Sequence, residues 1–331
     1  VKTFSIGFDE SEYDESKVAR QVAEEFGTDH TELILTPDVE GTLEAVAKMF
    51  DEPFGDSSAK PTFYVAQLAR ERVTVALSGD GGDELFGGYS RYREALNQSP
   101  SLGIAGRFIA TAARFLPHSA PGRNKLIDLG RDPLGRYLAK VCSPLRIDEG
   151  GMARPDIMGR GGHIDSQLAD IVASVAGYDL ATAMMRIDLE SYLPGDILTK
   201  VDRTSMAVSL ESRVPLLDKD LVDFAYGLPA SLRVTRTNGK HLFRKAIARV
   251  LPDWLFTRPK QGFAIPLAEW FRGPLNHRIA DLTRSSSQLL DFVDAKALHR
   301  TIDEHTRERR DHSLALWRLI VLDTWLSALR N

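Results

Sequence analysis

Strand-type and helix-type hydrophobic patterns alternate along the first quarter of the chain. Three short apolar segments are predicted as strands: Val1–Phe8, Thr31–Leu35 and Val73–Leu77. The third is rich in β-branched residues, which is typical of a buried parallel strand. Helices are predicted between them: one up to a stop signal at Gly27, one after a Thr36 cap with Pro37 at its first position, and one over Pro61–Arg70. Strands that alternate with helices predict an α/β fold with a parallel sheet.

Helical periodicity dominates after about residue 95. Helices are predicted over Tyr178–Ala207, Leu221–Tyr226, His241–Val250 and Ser313–Leu329. The last of these is apolar almost all round, which predicts a helix packed inside the protein. Short helices are expected between residues 99 and 162, and Asp148–Gly162 is predicted to be a surface loop. The pattern therefore divides the chain into residues 1–95, α/β, and residues 96–331, mostly helical.

Composition narrows the class of protein. Of the 331 residues, 43% are hydrophobic and 27% are charged, which excludes a disordered chain. The formal charge of −4 argues against a dedicated nucleic-acid binder. A single cysteine, Cys142, excludes an internal disulfide framework and is interpreted as a small structural residue. No long apolar stretch and no leader pattern is present, so we predict a cytoplasmic protein with neither a nucleic-acid nor a membrane partner.

The chain opens inside a predicted strand, with Val1 in place of an initiator Met. We therefore expect it to be cut from a longer polypeptide, and an ordinary processed N-terminus is the alternative.

A glycine-rich, acidic turn follows the third predicted strand and is the most informative segment. It reads LSGDGGDELFGGY over Leu77–Tyr89, at the end of a strand where open α/β sheets bind ligands. Glycines let the backbone approach a ligand, and free N–H groups can hold phosphate oxygens. The turn lacks the G-K-[ST] of a P-loop and the third glycine of the dinucleotide fingerprint. Asp80, Asp83 and Glu84 suit a bridging Mg²⁺; the alternative is a turn that caps a helix with acidic residues.

Six segments carry a resemblance to one family. They are Asp51–Ser58, Ser78–Tyr89, Leu193–Ala207, Leu210–Asp218, Gly239–Lys245 and Arg258–Phe263. In this order the sequence resembles the synthetase domain of glutamine-hydrolysing asparagine synthetases. The resemblance implies a parallel sheet of ATP-pyrophosphatase (adenine nucleotide alpha hydrolase-like) type, with residues 1–95 as a partial nucleotide-binding sheet, followed by a mostly helical region.

The resemblance also implies a reaction. A carboxylate, in this family the side chain of aspartate, attacks Mg²⁺-bound ATP to give an acyl-adenylate, and ammonia from an N-terminal glutaminase domain converts it to an amide. The family's first strand, its pyrophosphate loop S-G-G-x-D-S and the glutaminase domain are not in this sequence, so the chain alone is expected to be inactive. Two alternative functions stay open: a relative that amidates or cyclises a different carboxylate, and a non-catalytic binding module. A homodimer is the candidate assembly.

Motif positions assign roles near the nucleotide. By resemblance, Lys240 is the catalytic cation, Asp80 takes part in forming the intermediate, and Asp83 holds Mg²⁺. Ser78, Gly79 and Gly81 are expected to contact the adenylate. Ile6 is expected to line the adenine pocket, with plain core packing as the alternative.

For the amino-acid substrate the resemblance points to six residues: Asp56, Ser58, Asp196, Lys200, Asp202 and Arg203. The spacing of Asp196, Lys200 and Arg203 predicts one helix face, where cations beside carboxylates suit a zwitterion. An ordinary ion pair is the alternative. Glu211, Arg213 and Asp218 are interpreted as a structural charged cluster around a turn.

Overall fold

A computed structural model describes most of the chain. The described residues are 1–36, 40–98, 102–116, 120, 122–141, 152, 154, 162–257, 265–284 and 287–329. Cys142, Pro37, the motif Arg258–Phe263 and most of Asp148–Gly162 lie outside them. Met152, inside that predicted surface loop, is buried.

The strands are short and the helices numerous. The strands are β1 (Lys2–Phe8), β2 (Asp29–Leu35), β3 (Val75–Leu77) and β4 (Glu211–Arg213). The helices before residue 150 are α1 (Ser16–Phe26), α2 (Glu40–Met49), α3 (Ala59–Arg70), α4 (Gly82–Phe86), α5 (Ser90–Asn97), α6 (Gly103–Arg114), α7 (Arg123–Asp128) and α8 (Pro133–Val141). Those after it are α9 (Gly162–Ser174), α10 (Leu180–Ile187), α11 (Thr199–Met206), α12 (Lys219–Gly227), α13 (Ala230–Arg233), α14 (His241–Ile247), α15 (Trp254–Thr257), α16 (Leu267–Arg272), α17 (Asn276–Asp281), α18 (Ala295–Thr306) and α19 (Ser313–Ala328). A π-helix spans Asp188–Leu198, and 3₁₀ turns span Pro215–Leu217 and Gln288–Asp291.

The described strands form two separate parallel pairs. β1 pairs with β2, and β3 pairs with β4. The fold is therefore mixed α/β with mostly helical content, as predicted. β4 was not predicted, because three residues of sequence Glu-Ser-Arg carry no apolar alternation. Glu211 and Arg213 lie in this strand and form an ion pair at 2.7 Å, which agrees with their interpretation as structural residues.

β3 also differs from its prediction as a buried strand. The side chain of Leu77 is 72% exposed, and Val75 is exposed as well. The apolar run is present, but in the described part of the chain only β4 pairs with it and the other edge faces a cavity. A buried parallel strand requires cover on both sides, which β3 does not have there.

The predicted helices are largely confirmed. Gly27 ends α1 in the left-handed conformation that favours glycine, at φ +59°. Within the predicted helix Tyr178–Ala207 the chain is helical without interruption from Leu180 to Met206, but its middle is the π-helix, which contains Pro194. Proline removes a backbone donor, and an 11-residue π-helix is rare and often marks a functional region.

The largest core joins the two ends of the sequence. Ile6, Phe8 and Leu35 of the first sheet pack with Trp270 and with Trp317 of α19 in one buried cluster. This confirms the prediction that α19 lies inside the protein. The division at residue 95 stays a prediction. No helix in the described part of the chain has the length and apolar character needed to cross a membrane.

Candidate active site

A cavity of about 880 Å³ lies between the two strand pairs. Val1–Phe4, at the start of β1, and Val75–Leu77 of β3 form opposing walls. Helices α3 and α11 contribute Thr62 and Thr204 among other residues. The mouth is polar, because Ser78–Gly81, Asp83 and Glu84 also line the cavity. The glycine-rich turn singled out from the sequence is therefore part of a cavity wall.

The turn is held by its own hydrogen bonds. The Ser78 hydroxyl donates to Oδ2 of Asp80 at 2.7 Å, and the Ser78 N–H donates to the Arg213 carbonyl at 2.9 Å. Gly79 faces open space, so that a Cβ there would meet no atom within 4 Å. Gly81 has φ +80°, and a Cβ there would lie 2.2 Å from Cδ2 of Leu217. Gly81 is thus required by packing and backbone conformation, whereas Gly79 leaves backbone accessible to a ligand.

Lys240 contacts the glycine-rich turn, although it is distant from the turn in the sequence. Its Nζ lies 2.8 Å from Oδ1 of Asp83, and its backbone N–H donates to the Phe86 carbonyl at 2.9 Å. Lys240 itself adopts φ +52°, an uncommon conformation for a non-glycine residue. A Cβ on Gly88 would lie 1.8 Å from Oδ1 of Asp83 and 2.5 Å from Cε of Lys240. The absence of a side chain at position 88 therefore permits the pairing of Lys240 with Asp83.

Glu84, which follows Asp83 in the turn, is buried. The Tyr89 hydroxyl donates to its Oε1 at 2.6 Å. Burial raises the pKa of the Glu84 carboxyl, and burial together with the neighbouring Glu84 raises the pKa of the Tyr89 hydroxyl. Glu84 is thus committed to an internal contact, which leaves Asp80 and Asp83 as the more accessible carboxylates of the turn.

A second polar group lies where α11 meets the loop before α3. Nζ of Lys200 lies 2.6 Å from Oδ2 of Asp56 and donates to the Ser58 hydroxyl at 2.7 Å. The Ser58 hydroxyl in turn donates to Oδ2 of Asp56 at 2.6 Å. Burial raises the pKa of Asp56, but the charge of Lys200 and the hydrogen bonds from Lys200 and Ser58 outweigh it and hold the pKa below its usual value. Lys200 lines the cavity, so this group borders the same space as the glycine-rich turn.

Asp196 lies one helical turn before Lys200, and the pKa of its carboxyl is shifted in the opposite direction to that of Asp56. Burial and the adjacent charge of Asp56 raise the pKa of Asp196 to about 7, and Lys200 only partly offsets them. Its Oδ1 is buried without a hydrogen-bond partner in the described structure. Two neighbouring carboxylates with divergent pKa values are typical of functional sites.

Substituting Asp196→Asn is expected to change the pH dependence of stability. In the folded protein Asp196 binds its proton more tightly than in the unfolded chain, so the free energy of unfolding should fall as pH rises from about 3.8 to about 7 and level off above. The neutral Asn removes that fall and should raise the free energy of unfolding at pH 8 by roughly 2–4 kcal/mol, and at pH 5 by about a third of that amount. Chemical denaturation at both pH values measures the difference.

Asp202→Asn is the matched control, because Asp202 follows Asp196 in the same helical run but is exposed. It should leave the pH dependence unchanged. If the free energy of unfolding had the same pH profile in Asp196→Asn and in the unsubstituted protein, the raised pKa of Asp196 would be contradicted.

Seven predicted site residues are not part of the cavity lining. Four of them lie beside the lining residues Asp83 or Lys200, namely Lys240, Asp56, Ser58 and Asp196. The other three are Ile6, Asp202 and Arg203. Ile6 is buried in the main core, whereas Phe4, on the same face of β1 but nearer the start of the strand, lines the cavity instead. Asp202 and Arg203 are exposed, and Arg203 pairs with Asp51 at the surface. The predicted common face therefore holds for Asp196 and Lys200 but not for Arg203.

A buried cluster behind the glycine-rich turn was not predicted. Asp188, at the start of the π-helix, is fully buried and accepts hydrogen bonds from Arg91 and from the Tyr92 hydroxyl, both at 2.6 Å. The Arg91 guanidinium also lies 3.8 Å from the ring centroid of Tyr89 and 4.8 Å from that of Tyr192. These contacts connect the π-helix with the turn. No local sequence signal joins residues about 100 positions apart, so only the fold could reveal them.

The described residues offer part of a magnesium site. They contain no group of three or more His, Cys, Asp or Glu side chains placed to hold a metal ion. Asp80 and Asp83 both line the cavity and are the two partly exposed carboxylates of the turn. Because Mg²⁺ is commonly held by one or two carboxylates together with substrate phosphates, this donor set fits an ion that arrives with a nucleotide.

The parallel strands, the glycine-rich acidic turn at a strand end and the adjacent lysine define an α/β protein with a candidate ligand site at a strand's carboxyl end. The chain belongs to the asparagine synthase family, whose sequence profile matches residues 1–327. This confirms the family resemblance of the six segments.

Individual relatives agree with that assignment. A putative glutamine-hydrolysing asparagine synthetase of Mycobacterium tuberculosis is 36% identical over 98% of this chain and 50% of its own length. Asparagine synthetase 1 (glutamine-hydrolysing) of Bacillus subtilis is 30% identical over 99% of this chain and 52% of its own length. Amidase chyE of Penicillium rubens is 24% identical over 92% of this chain. The chain thus spans about half the length of the curated relatives that it matches.

Proposed function

We propose that this chain is the synthetase part of an ATP-dependent, AMP-forming amide ligase, with the side-chain carboxylate of aspartate as substrate and asparagine as product. Family membership supports the class of reaction. The observation that carries the assignment to this site is the contact of Lys240 with Asp83 beside the accessible backbone at Gly79. It brings a cation, a carboxylate and free backbone to one cavity mouth.

The arrangement of strands supports an ATP-pyrophosphatase type of sheet. One edge of β1 and one edge of β3 face the same cavity, and in the described structure no strand lies between them. Unpaired edges of parallel strands favour a further strand. We propose that a parallel strand outside the present 331 residues fits between β1 and β3 and carries a phosphate-binding loop into the cavity mouth. Part of the cavity is then a place for a strand, and the nucleotide binds at its polar end.

Lys240 is proposed to stabilise charge during carboxylate activation. The carboxylate oxygen attacks the α-phosphorus of ATP, the bond from that phosphorus to the bridging oxygen breaks, and pyrophosphate leaves with the electron pair. Negative charge grows on the departing group, and a fixed ammonium at that place lowers the barrier. The contact with Asp83 and the backbone bond to Phe86 hold Lys240 in position before substrate arrives.

The remaining residues of the turn are proposed to bind and orient. Ser78 and Gly79 would contact the adenylate, and Asp80, fixed by the Ser78 hydroxyl, would orient the intermediate. Asp83 would hold Mg²⁺, which neutralises phosphate charge when bound. Ammonia then displaces AMP from the acyl-adenylate and forms the amide.

The Asp56, Ser58, Lys200 and Asp196 group is proposed to hold the amino-acid end of the substrate. Lys200 and Ser58 can contact a carboxylate, and Asp196 or Asp56 can contact an ammonium. This proposal no longer includes Asp202 and Arg203, which lie away from the cavity. The ammonia is proposed to come from the glutamine-hydrolysing activity that the relatives' names state.

Pyrophosphate exchange tests the proposal. With the full-length gene product, ATP and Mg²⁺, aspartate should support exchange of labelled pyrophosphate into ATP, whereas alanine should not. Exchange with another acid but not with aspartate would identify a relative with a different substrate. Fungal relatives named amidases make this the second candidate. No exchange with any acid in a panel, while the protein stays folded, would favour a non-catalytic module.

A further inference from the structure

The hairpin formed by α6 and α7 presents bulky apolar side chains to solvent. Ile104, Phe108 and Phe115 are 74%, 73% and 87% exposed. At positions i, i+4 and i+11 they follow one side of the helix. We name these three residues the apolar stripe. A contiguous exposed stripe of this kind usually marks an interaction surface.

The orientation of α6 is the reverse of an ordinary surface helix. Its small residues are buried: Gly106, Ala110 and Ala113 face the α7 side, where a Cβ on Gly106 would lie 2.2 Å from the Leu129 carbonyl oxygen. Large apolar side chains normally take such packed positions, and here they point outwards instead. The close contact between the two helices thus fixes the apolar stripe in an exposed position.

The hairpin region is basic although the whole chain is not. Between residues 103 and 128 the sequence has four Lys and Arg against one Asp, whereas the full chain carries a formal charge of −4. Of the four, Arg123 is buried. Arg107 and Arg114 lie with Thr111 along one margin of the apolar stripe, and both arginines are exposed. Exposed Phe, Ile and Leu beside arginines are the composition of helices that lie in the plane of a membrane surface.

We propose that the α6–α7 hairpin binds the surface of an anionic lipid bilayer. The apolar stripe enters the boundary between headgroups and acyl chains, and Arg107 and Arg114 remain at the level of the lipid phosphates. A second copy of the chain fits this surface less well, because a two-fold interface would bring two basic hairpins together. The proposal is independent of the proposed enzymatic function. It differs from the expectation, drawn from overall composition, that the protein has no membrane partner, and the experiment below decides between the two.

Vesicle flotation of the full-length gene product tests the proposal. Binding is expected to vesicles of phosphatidylcholine with phosphatidylglycerol, to be much weaker with phosphatidylcholine alone, and to fall in high salt. The double substitution Phe108→Ser with Phe115→Ser should lower the partition coefficient at least about tenfold, since it removes two apolar anchors. Arg107→Gln and Arg114→Gln should each lower it about fivefold on the anionic vesicles only.

Phe224→Ser is the matched control, because Phe224 is an exposed phenylalanine on α12, outside the hairpin. It should leave the partition coefficient unchanged, and thermal unfolding should show that every variant is folded. Equal binding by the double Phe variant, or no preference for anionic vesicles, would overturn the proposal. The proposal would also be overturned if light scattering showed that the Phe substitutions dissociate an assembly while vesicle binding is unaffected. The apolar stripe would then be a protein interface.

Discussion

Lys240→Met is expected to lower the rate of aspartate-dependent ATP–pyrophosphate exchange by about 10²–10³-fold in the full-length gene product. The substitution keeps most of the side-chain volume and removes the ammonium that lies 2.8 Å from Oδ1 of Asp83. Removing one preorganised group that stabilises developing charge typically costs this much in rate. The turnover number should fall more than the affinity for aspartate, because Lys240 is proposed to act on the phosphate and not on the amino acid.

Lys219→Met is a suitable control for the effect of losing a lysine. Lys219 is exposed on α12 and pairs with Asp223 at 2.6 Å. Its substitution should change the exchange rate less than about twofold, as expected for a surface ion pair. Thermal unfolding of both variants separates a catalytic loss from a loss of folded protein. Near-normal exchange by Lys240→Met would remove Lys240 from the proposed mechanism.

Lys200→Met is expected to have the largest effect on stability, a loss of about 3–5 kcal/mol in the free energy of unfolding. Lys200 is buried and contacts both Asp56 and Ser58. Without its charge the Asp56 carboxylate loses the partner that keeps its pKa low. Breaking a buried ion pair from one side leaves a desolvated charge, and this explains the large cost. Urea denaturation near neutral pH measures it.

Arg203→Met gives a control on the same helix. Arg203 lies three residues after Lys200, but its partner Asp51 is on the surface, so the loss should be below about 1 kcal/mol. Adding Asp56→Asn to Lys200→Met should recover part of the stability, because it removes the unpaired charge. Equal losses for Lys200→Met and Arg203→Met would show that the burial of Lys200 does not determine its energetic role.

The comparison of Ile6 with Phe4 shows what a strand pattern leaves undecided. Both residues are apolar and lie two positions apart on β1, so alternation gives them the same face. Position along the strand then separates them: Ile6 packs in the main core, while Phe4 lines the cavity nearer the start of β1. Whether an apolar side chain meets core or cavity depends on the helix that covers that point of the strand.

The sequence by itself determined the local elements, the family and the composition of the glycine-rich turn. Periodicity and helix stop signals depend on neighbouring residues, and the motifs are contiguous, so both are readable without coordinates. Only the tertiary structure decided that β3 pairs with β4, that Lys240 reaches Asp83, and that Lys200 is buried while Arg203 is exposed. These outcomes depend on contacts between segments 100 or more residues apart. Burial then determines the charge state, the pKa and the contribution to stability of each side chain. Burial itself depends on how the whole chain packs.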